Sequence, residues 1–239
     1  FGGYGGADVT FAGFFYDVDY KKFAADDAKD LAADNTYYAK WTVTASGKTV
    51  YPFSATFDSN WYKNLNDYGI SWDRKTNTLT LDGAYIIGNY GGVTLPAGST
   101  VVVKGNSGIR NLASRAYFGT ALASSGAGSV TVKAAEKETK LALSSWNGKA
   151  MELDDGGLVM YRGTVDLWSG LKSGQEAAYV GDAVTRANSG VTMDIQGAGQ
   201  AGDALEAVTH STKDRYYKCN TLANTAKYLT LSADCVSHF

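Results

Sequence analysis

Aromatic and polar side chains in three short segments are the first candidates for chemistry in this sequence. Trp146 follows Ser145 in a turn-like segment, and Tyr161 and Trp168 flank a corner-like Arg162–Gly163. Flat aromatic faces can stack on sugar rings while neighbouring polar groups hydrogen-bond to the hydroxyls. The sequence therefore predicts a glycan-binding set, with ordinary core packing of the rings as the alternative. Its members are Trp146, Asn147, Tyr161, Arg162, Asp166 and Trp168.

Carboxylates in the second half of the chain are the other candidates. They are Asp154, Asp155, Asp166, Asp182 and Asp194. A polysaccharide lyase or glycoside hydrolase needs two or three carboxylates on neighbouring elements. Asp166 and Asp194 alternate with apolar neighbours, so both are expected on outward strand faces, where they could lie one above the other. A solvated row of surface carboxylates and a Ca²⁺ site built from their oxygens are the alternative interpretations.

Length and charge narrow the function classes. The chain has 239 residues, 22 Lys and Arg against 24 Asp and Glu, and a net charge of -2, which excludes a generally basic nucleic-acid binder. With 44% hydrophobic residues, 28 Gly and 2 Pro, the composition suits a packed domain with many tight turns. No apolar run approaches the ~18 residues of a membrane span, so no membrane insertion is expected. The start at Phe1, without Met or signal peptide, is expected of a fragment.

Short strand-like runs separated by Gly, Asn, Asp and Ser must position these side chains. Starts at positions 101, 129 and 157 are 28 residues apart, and those at 164 and 191 are 27 apart. Periods of this length favour an all-β solenoid, a right-handed parallel β-helix whose stacked strands point Val, Leu and Ile inward. A β-sandwich would also give short strands with frequent turns and remains the alternative.

The N-terminal region resembles the second half of an internalin-type B repeat, also called the Listeria–Bacteroides repeat. The residues that carry the resemblance are Phe11–Asp17, Phe23 and Ala33–Thr42, with Tyr38–Trp41 matching the family's "Y-A-K-W" ending. Phe14 and Phe15 depart from the Trp-Tyr pair of the family pattern. The resemblance implies a small β-repeat on the exterior of a bacterial cell and no catalysis.

A second resemblance begins at Trp72. Residues Trp72–Ala84 resemble the entry segment of a group of bacterial surface β-helix domains, and Val101–Ile109 is similar to a coil of that group, with Asn106 one place early. Some members of the group are classified as carbohydrate-binding. The two resemblances divide the chain into a partial repeat at 1–44, a connector or cap at 45–69 and a parallel β-helix with a C-terminal cap at 70–239.

Cys219 and Cys235 are the only cysteines. With His210 and His238 they make a poor tetrahedral metal set, and no redox motif is present. The choice is between a disulfide and two inert thiols. Because the resemblances imply an extracellular location, a disulfide between Cys219 and Cys235 is expected.

The connector is expected to cover the open end of the first coil. Phe53, Phe57 and Trp61 recur at four-residue steps, which can place all three rings on one side of a cap near Trp72 and Leu79–Leu81.

Together these features predict a non-catalytic module of a secreted or wall-attached bacterial surface protein that serves adhesion or glycan binding. Its expected partner is a polysaccharide, or a glycan or protein of a host surface. No cofactor is expected, with Ca²⁺ held by the surface carboxylates as the alternative. A β-helix polysaccharide lyase or glycoside hydrolase and a structural stalk spacer are the alternatives.

Overall fold

The fold is all-β, as the sequence predicts. The computed structural model describes residues 7–15, 23–25, 36–45, 48–88, 91–112, 119–170, 176–199, 203–221 and 225–235. Within these ranges there is no α-helix, and one 3₁₀ turn spans Asn66–Tyr68. None of the described residues belongs to a helix long and apolar enough to cross a membrane.

The chain divides into two compact units, Phe1–Pro52 and Phe53–Phe239. The first unit contains β1 (Ala7–Phe15), β2 (Phe23–Ala25), β3 (Tyr38–Ala45) and β4 (Lys48–Tyr51). Strand β1 pairs antiparallel with both β2 and β3, and β3 pairs antiparallel with β4. Within the segments that resemble the repeat, residues 16, 17, 33, 34 and 35 lie outside the described ranges.

The second unit holds the remaining strands. In chain order they are β5 (Ala55–Thr56), β6 (Ile70–Asp73), β7 (Thr78–Asp82), β8 (Tyr85–Gly88), β9 (Val93–Pro96), β10 (Thr100–Gly105), β11 (Ser107–Asn111), β12 (Leu122–Ser125), β13 (Val130–Ala134), β14 (Lys140–Ser145), β15 (Met151–Leu153), β16 (Leu158–Ser169), β17 (Ala178–Val180), β18 (Val184–Arg186), β19 (Val191–Ala198), β20 (Glu206–Ser211), β21 (Tyr216–Cys219) and β22 (Tyr228–Cys235).

Three parallel ladders organise this unit. Ladder A joins β8, β11, β14 and the second half of β16. Ladder B joins β5, β9, β12, β15 and β17. Ladder C joins β7, β10, β13, the first half of β16 and β18. Three successive strands, one in each ladder, therefore form a repeat, and the next three strands stack on it in register.

Within each ladder, side chains of similar type stack on top of one another. In ladder A the register aligns Ile86, Ile109, Leu143 and Leu167, and all four are at most 1% exposed. Ladders B and C carry the same kind of column, for example Val93–Leu122–Met151 and Leu79–Val101–Val132. Because side chains alternate between the two faces of a strand, the intervening residues point outward.

Antiparallel strands end the parallel stacking. Strand β22 pairs antiparallel with β16 in ladder A and with β19 on its other side, and β21 pairs antiparallel with β17 in ladder B. The spacing between Thr164 and Val191 is therefore not a coil period, because β22 lies between their strands. At the other end, β6 pairs antiparallel with β7.

The connector packs as a cap around Phe57. This residue is 1% exposed, and its ring centroid lies 4.5 Å from that of Trp61 and 5.6 Å from that of Trp72. The indole of Trp72 also donates a hydrogen bond to the Asp58 carbonyl at 2.9 Å. The expected burial of Phe53 on the same side is wrong, since it is 42% exposed. The segment is extended around β5 rather than helical, so a four-residue step does not keep rings on one face.

The expected disulfide is also wrong: Cys219 and Cys235 are free and buried. Cys219 pairs with Val208 in the β20–β21 hairpin, whereas Cys235 pairs with Val191 at the far end of β22. Their neighbours differ, since the Cys219 thiol lies beside the Glu206 carboxylate, to which it can donate, and Cys235 lies beside the Tyr161 hydroxyl. A disulfide needs Cα atoms within about 7 Å of each other. The two cysteines instead lie at the ends of two different strand pairs, β20–β21 and β19–β22.

Replacing Phe57 tests the cap. We expect Phe57→Ala to lower the free energy of unfolding by about 3–5 kcal/mol, because it empties a fully enclosed site between Trp61 and Trp72. The matched control Phe53→Ala removes the same ring from an exposed position and should cost less than about 1 kcal/mol. Urea unfolding of both variants gives the comparison, and equal costs would contradict the cap.

Thiol titration tests the cysteine assignment. Without reductant, the folded chain should react little with a thiol reagent such as Ellman's, because both sulfurs are buried. In guanidinium chloride, both thiols should react. A denatured, unreduced chain with no reactive thiol would restore the disulfide.

Candidate functional site

A pair of tryptophans marks the outer face of ladder A. Trp146 is 42% exposed, and its ring centroid lies 6.1 Å from that of Trp168, with the ring planes inclined at 58°. Trp168 lies on the outward side of β16, between the buried residues Leu167 and Ser169. The structure thus brings two of the predicted aromatic residues together and leaves one of them well exposed.

A buried polar cluster holds the turn that presents Trp146. The Asn111 amide donates to the Gly119 carbonyl at 2.6 Å and to the Ser145 hydroxyl at 2.9 Å, and Ser145 also donates to Gly119 at 2.8 Å. The Trp146 backbone N–H donates to the Asn111 carbonyl at 2.9 Å. Gly148 ends the turn at φ +150°, where a Cβ would collide with the Gly119 carbonyl.

An ion pair lies beside the tryptophans. Asp166 is two residues before Trp168, on the same face of β16, and its carboxylate is 2.7 Å from the Lys140 ammonium. That hydrogen bond raises the pKa of Lys140. Tyr228, paired with Trp168 across β16 and β22, is the next outward residue, and partial burial and Asp166 raise the pKa of its phenol. We call Trp146, Trp168, Lys140, Asp166 and Tyr228 the aromatic surface.

Tyr161 and Arg162 lie around a corner from this surface. Strand β16 changes ladders at Gly163, whose φ is +109°, so both residues belong to the ladder C side. Arg162 donates to the carbonyls of Ala135 at 3.2 Å and Cys235 at 3.4 Å, and its guanidinium is 3.7 Å from the Asp234 carboxylate. These contacts anchor the C-terminal strand.

The remaining predicted residues do not join the aromatic surface. Asn147 is only 5% exposed, so its side chain packs inside the fold. Asp166 and Asp194 do not lie one above the other, because they pair with different residues of the intervening β22, Thr230 and Ser232. In the part of the chain that the structure describes, no three His, Cys, Asp or Glu side chains come together as a metal site.

A charged cluster on ladder B was not predicted from the sequence. The Lys149 ammonium contacts the Glu152 carboxylate, lies 3.9 Å from that of Glu176 and sits 4.3 Å from the centre of the Tyr179 ring. Thr120 donates to Glu152 at 2.9 Å. The sequence did contain a pattern that could have predicted this cluster. Thr120 and Lys149 are 29 residues apart and Lys149 and Glu176 are 27 apart, which is close to the spacing of the ladder B strands.

Burial controls the protonation of Glu176 in this cluster. It raises the pKa of the Glu176 carboxyl above the ordinary value of 4.5, although Lys149 acts in the opposite direction and Glu152 adds a smaller raising effect. A carboxyl whose pKa is raised and that lies near a second acidic side chain is an arrangement that general acid–base chemistry can use, and it also occurs in purely structural clusters.

Comparisons of this chain with protein-family models, with curated proteins and with solved structures give no match.

A pH series tests the Glu176 environment. Because its pKa is raised on folding, the unfolded chain loses this proton first as pH rises, and the free energy of unfolding falls from about pH 4.5 upward. Glu176→Gln should reduce that fall and give a higher melting temperature than wild type at pH 7. The exposed Glu138→Gln is the control and should leave the profile unchanged. A Glu176→Gln profile parallel to wild type would contradict the assignment.

Proposed function

We propose that this chain is a non-catalytic module of a secreted or wall-attached bacterial surface protein that binds glycans, or mediates adhesion to them, through the aromatic surface. The observation that carries the proposal is the exposed Trp146 ring beside Trp168 on the outer face of ladder A. Sugar rings present apolar C–H faces that stack on such rings, and Lys140 and Asp166 supply hydrogen-bonding groups beside them.

The rigidity of the site supports binding. Trp146 lies in a turn held by buried hydrogen bonds, and Trp168 is fixed within a central strand. A ligand that meets such side chains orders few rotamers, so less conformational entropy opposes binding.

The architecture we propose for unit Phe53–Phe239 is a right-handed parallel β-helix. Three-strand repeats that stack in parallel register support it. The right hand follows from the general preference of parallel crossover connections. The likeness of residues 9–44 to an internalin-type B repeat supports a location on the bacterial cell surface or outside the cell.

A polysaccharide-active enzyme is the second candidate. One observation favours it: Glu152 and Glu176 both approach Lys149, so two carboxyl groups converge on one face of ladder B. Both are engaged with Lys149, and the aromatic pair with the exposed Trp146 ring lies on ladder A instead. A stalk spacer, the third alternative, would need neither feature.

A glycan array tests the binding function. The wild-type chain should bind a subset of glycans, and Trp146→Ala should weaken that binding about tenfold or more, because stacking on the exposed ring is lost. Tyr62→Ala is the matched control, since Tyr62 is 75% exposed but lies outside the aromatic surface. Both variants should melt like wild type.

Equal binding by wild type and Trp146→Ala would contradict the proposed surface. Release of reducing ends from a polysaccharide by wild type, abolished in Glu176→Gln, would favour the enzyme instead.

A further inference from the structure

We propose that the aromatic surface selects acidic saccharides, and that Arg110 is the residue that receives their carboxylate or sulfate group. This inference rests on the proposed glycan-binding function and specifies its ligand class. It starts from an arginine that the sequence did not single out.

The register places Arg110 next to the two tryptophans. In ladder A it aligns with Ser144, which in turn aligns with Trp168, so Arg110 and Trp168 are two strand spacings apart, about 10 Å. Trp146 is closer still, because its backbone N–H bonds to the carbonyl of Asn111, the residue after Arg110. Arg110 is the outward residue between buried Ile109 and Asn111, so it shares the outer face with Trp168.

Within the described ranges, the Nε of Arg110 is buried without a hydrogen-bond partner and its guanidinium takes part in no ion pair. The Nε of Arg162 is also buried without a hydrogen-bond partner, but the guanidinium of Arg162 lies 3.7 Å from the Asp234 carboxylate and donates to two carbonyls. Arg215 contacts Asp155 and the Asp154 carbonyl.

No acidic residue aligns with Arg110 in the described part of ladder A. Among the described residues of ladder A, its partners across the strands are Ile87 and Ser144, and Gly108 and Ala142 lie on the same face one step back. None of them is acidic. Asp166 is two strands away and is held by Lys140. A planar guanidinium with free donors is suited to a carboxylate or sulfate, which it can bind through two parallel hydrogen bonds.

General attraction for polyanions does not account for such selectivity. The whole chain has a net charge of -2, so at long range it repels an acidic polymer slightly. Preference for an acidic saccharide must then come from a local contact. Ala142 adds to this, because its small, exposed side chain leaves the outer face of β14 open beside the Lys140–Asp166 pair, whereas Gly108 is buried against the Tyr85 ring.

Two matched polymer pairs test the inference with the full chain. The probes are polygalacturonate against its methyl ester, and dextran sulfate against dextran, with affinity measured by biolayer interferometry at two salt concentrations. We expect wild type to prefer at least one charged polymer over its neutral match by about tenfold or more, less at high salt. A preference for polygalacturonate over its methyl ester would indicate carboxylate recognition, and a preference for dextran sulfate over dextran would indicate sulfate recognition.

Four variants test whether Arg110 causes the preference for charged polymers. Arg110→Gln should remove the preference while leaving binding of the neutral polymer, and Arg110→Lys should restore part of it. Arg186→Gln, the same change at an exposed arginine of ladder C, should retain it. Trp146→Ala should weaken charged and neutral polymers alike. Unchanged melting temperatures show that all variants fold.

The failures are distinguishable. Equal affinity of wild type for charged and neutral polymers, with both lost in Trp146→Ala, overturns the inference and leaves the binding function standing. A charge preference that survives Arg110→Gln overturns the role of Arg110. No binding to any of the four polymers overturns the inference, and the glycan array then decides the binding function separately.

Discussion

The hydrogen-bonded register between successive repeats is the constraint on which the rest of this structure depends. In ladder A it aligns Ile86, Ile109, Leu143 and Leu167, so each buried side chain packs on one of similar size above and below. A slip of one residue in any strand would turn its apolar side chains outward and its polar ones inward. The same register spaces the outward residues at regular strand intervals, which makes the outer face a rigid surface.

Buried polar groups at one corner strengthen this register. Asn111 and Ser145 are fully buried, stand in aligned positions of ladder A and bond to each other and to the Gly119 carbonyl. Leaving one such group without its partner costs about 1–3 kcal/mol, so an alternative register is disfavoured. Because Trp146 follows Ser145 directly, the interaction that holds the fold also positions the exposed ring.

The ladders differ in how they use their outer faces. Ladder A combines aromatic rings, the small exposed Ala142 and an arginine whose Nε has no hydrogen-bond partner among the described residues. Ladder B instead gathers Lys149, Glu152 and Glu176 into a cluster of opposite charges that contact one another. A surface with unmet hydrogen-bonding groups and exposed rings has more to gain from a ligand than one that is internally satisfied. This contrast is why we propose ladder A as the binding surface.

Local patterns in the sequence were enough to predict the all-β class, several of the longer strands, among them β10, β13, β16 and β19, and the outward direction of Asp166. The reason is that β-branched and apolar alternation is a property of neighbouring residues. They also identified Trp146 and Trp168. Only the tertiary structure decided which residues meet. Chain reversal at β22 separates Asp166 from Asp194, the corner at Gly163 separates Arg162 from Trp168, and different strand ends keep Cys219 from Cys235. Arg110 and the Lys149 cluster were not predicted, because their neighbours are distant along the chain. A spacing near 28 residues indicates that side chains lie on the same ladder, but only the register between strands decides which of them come into contact.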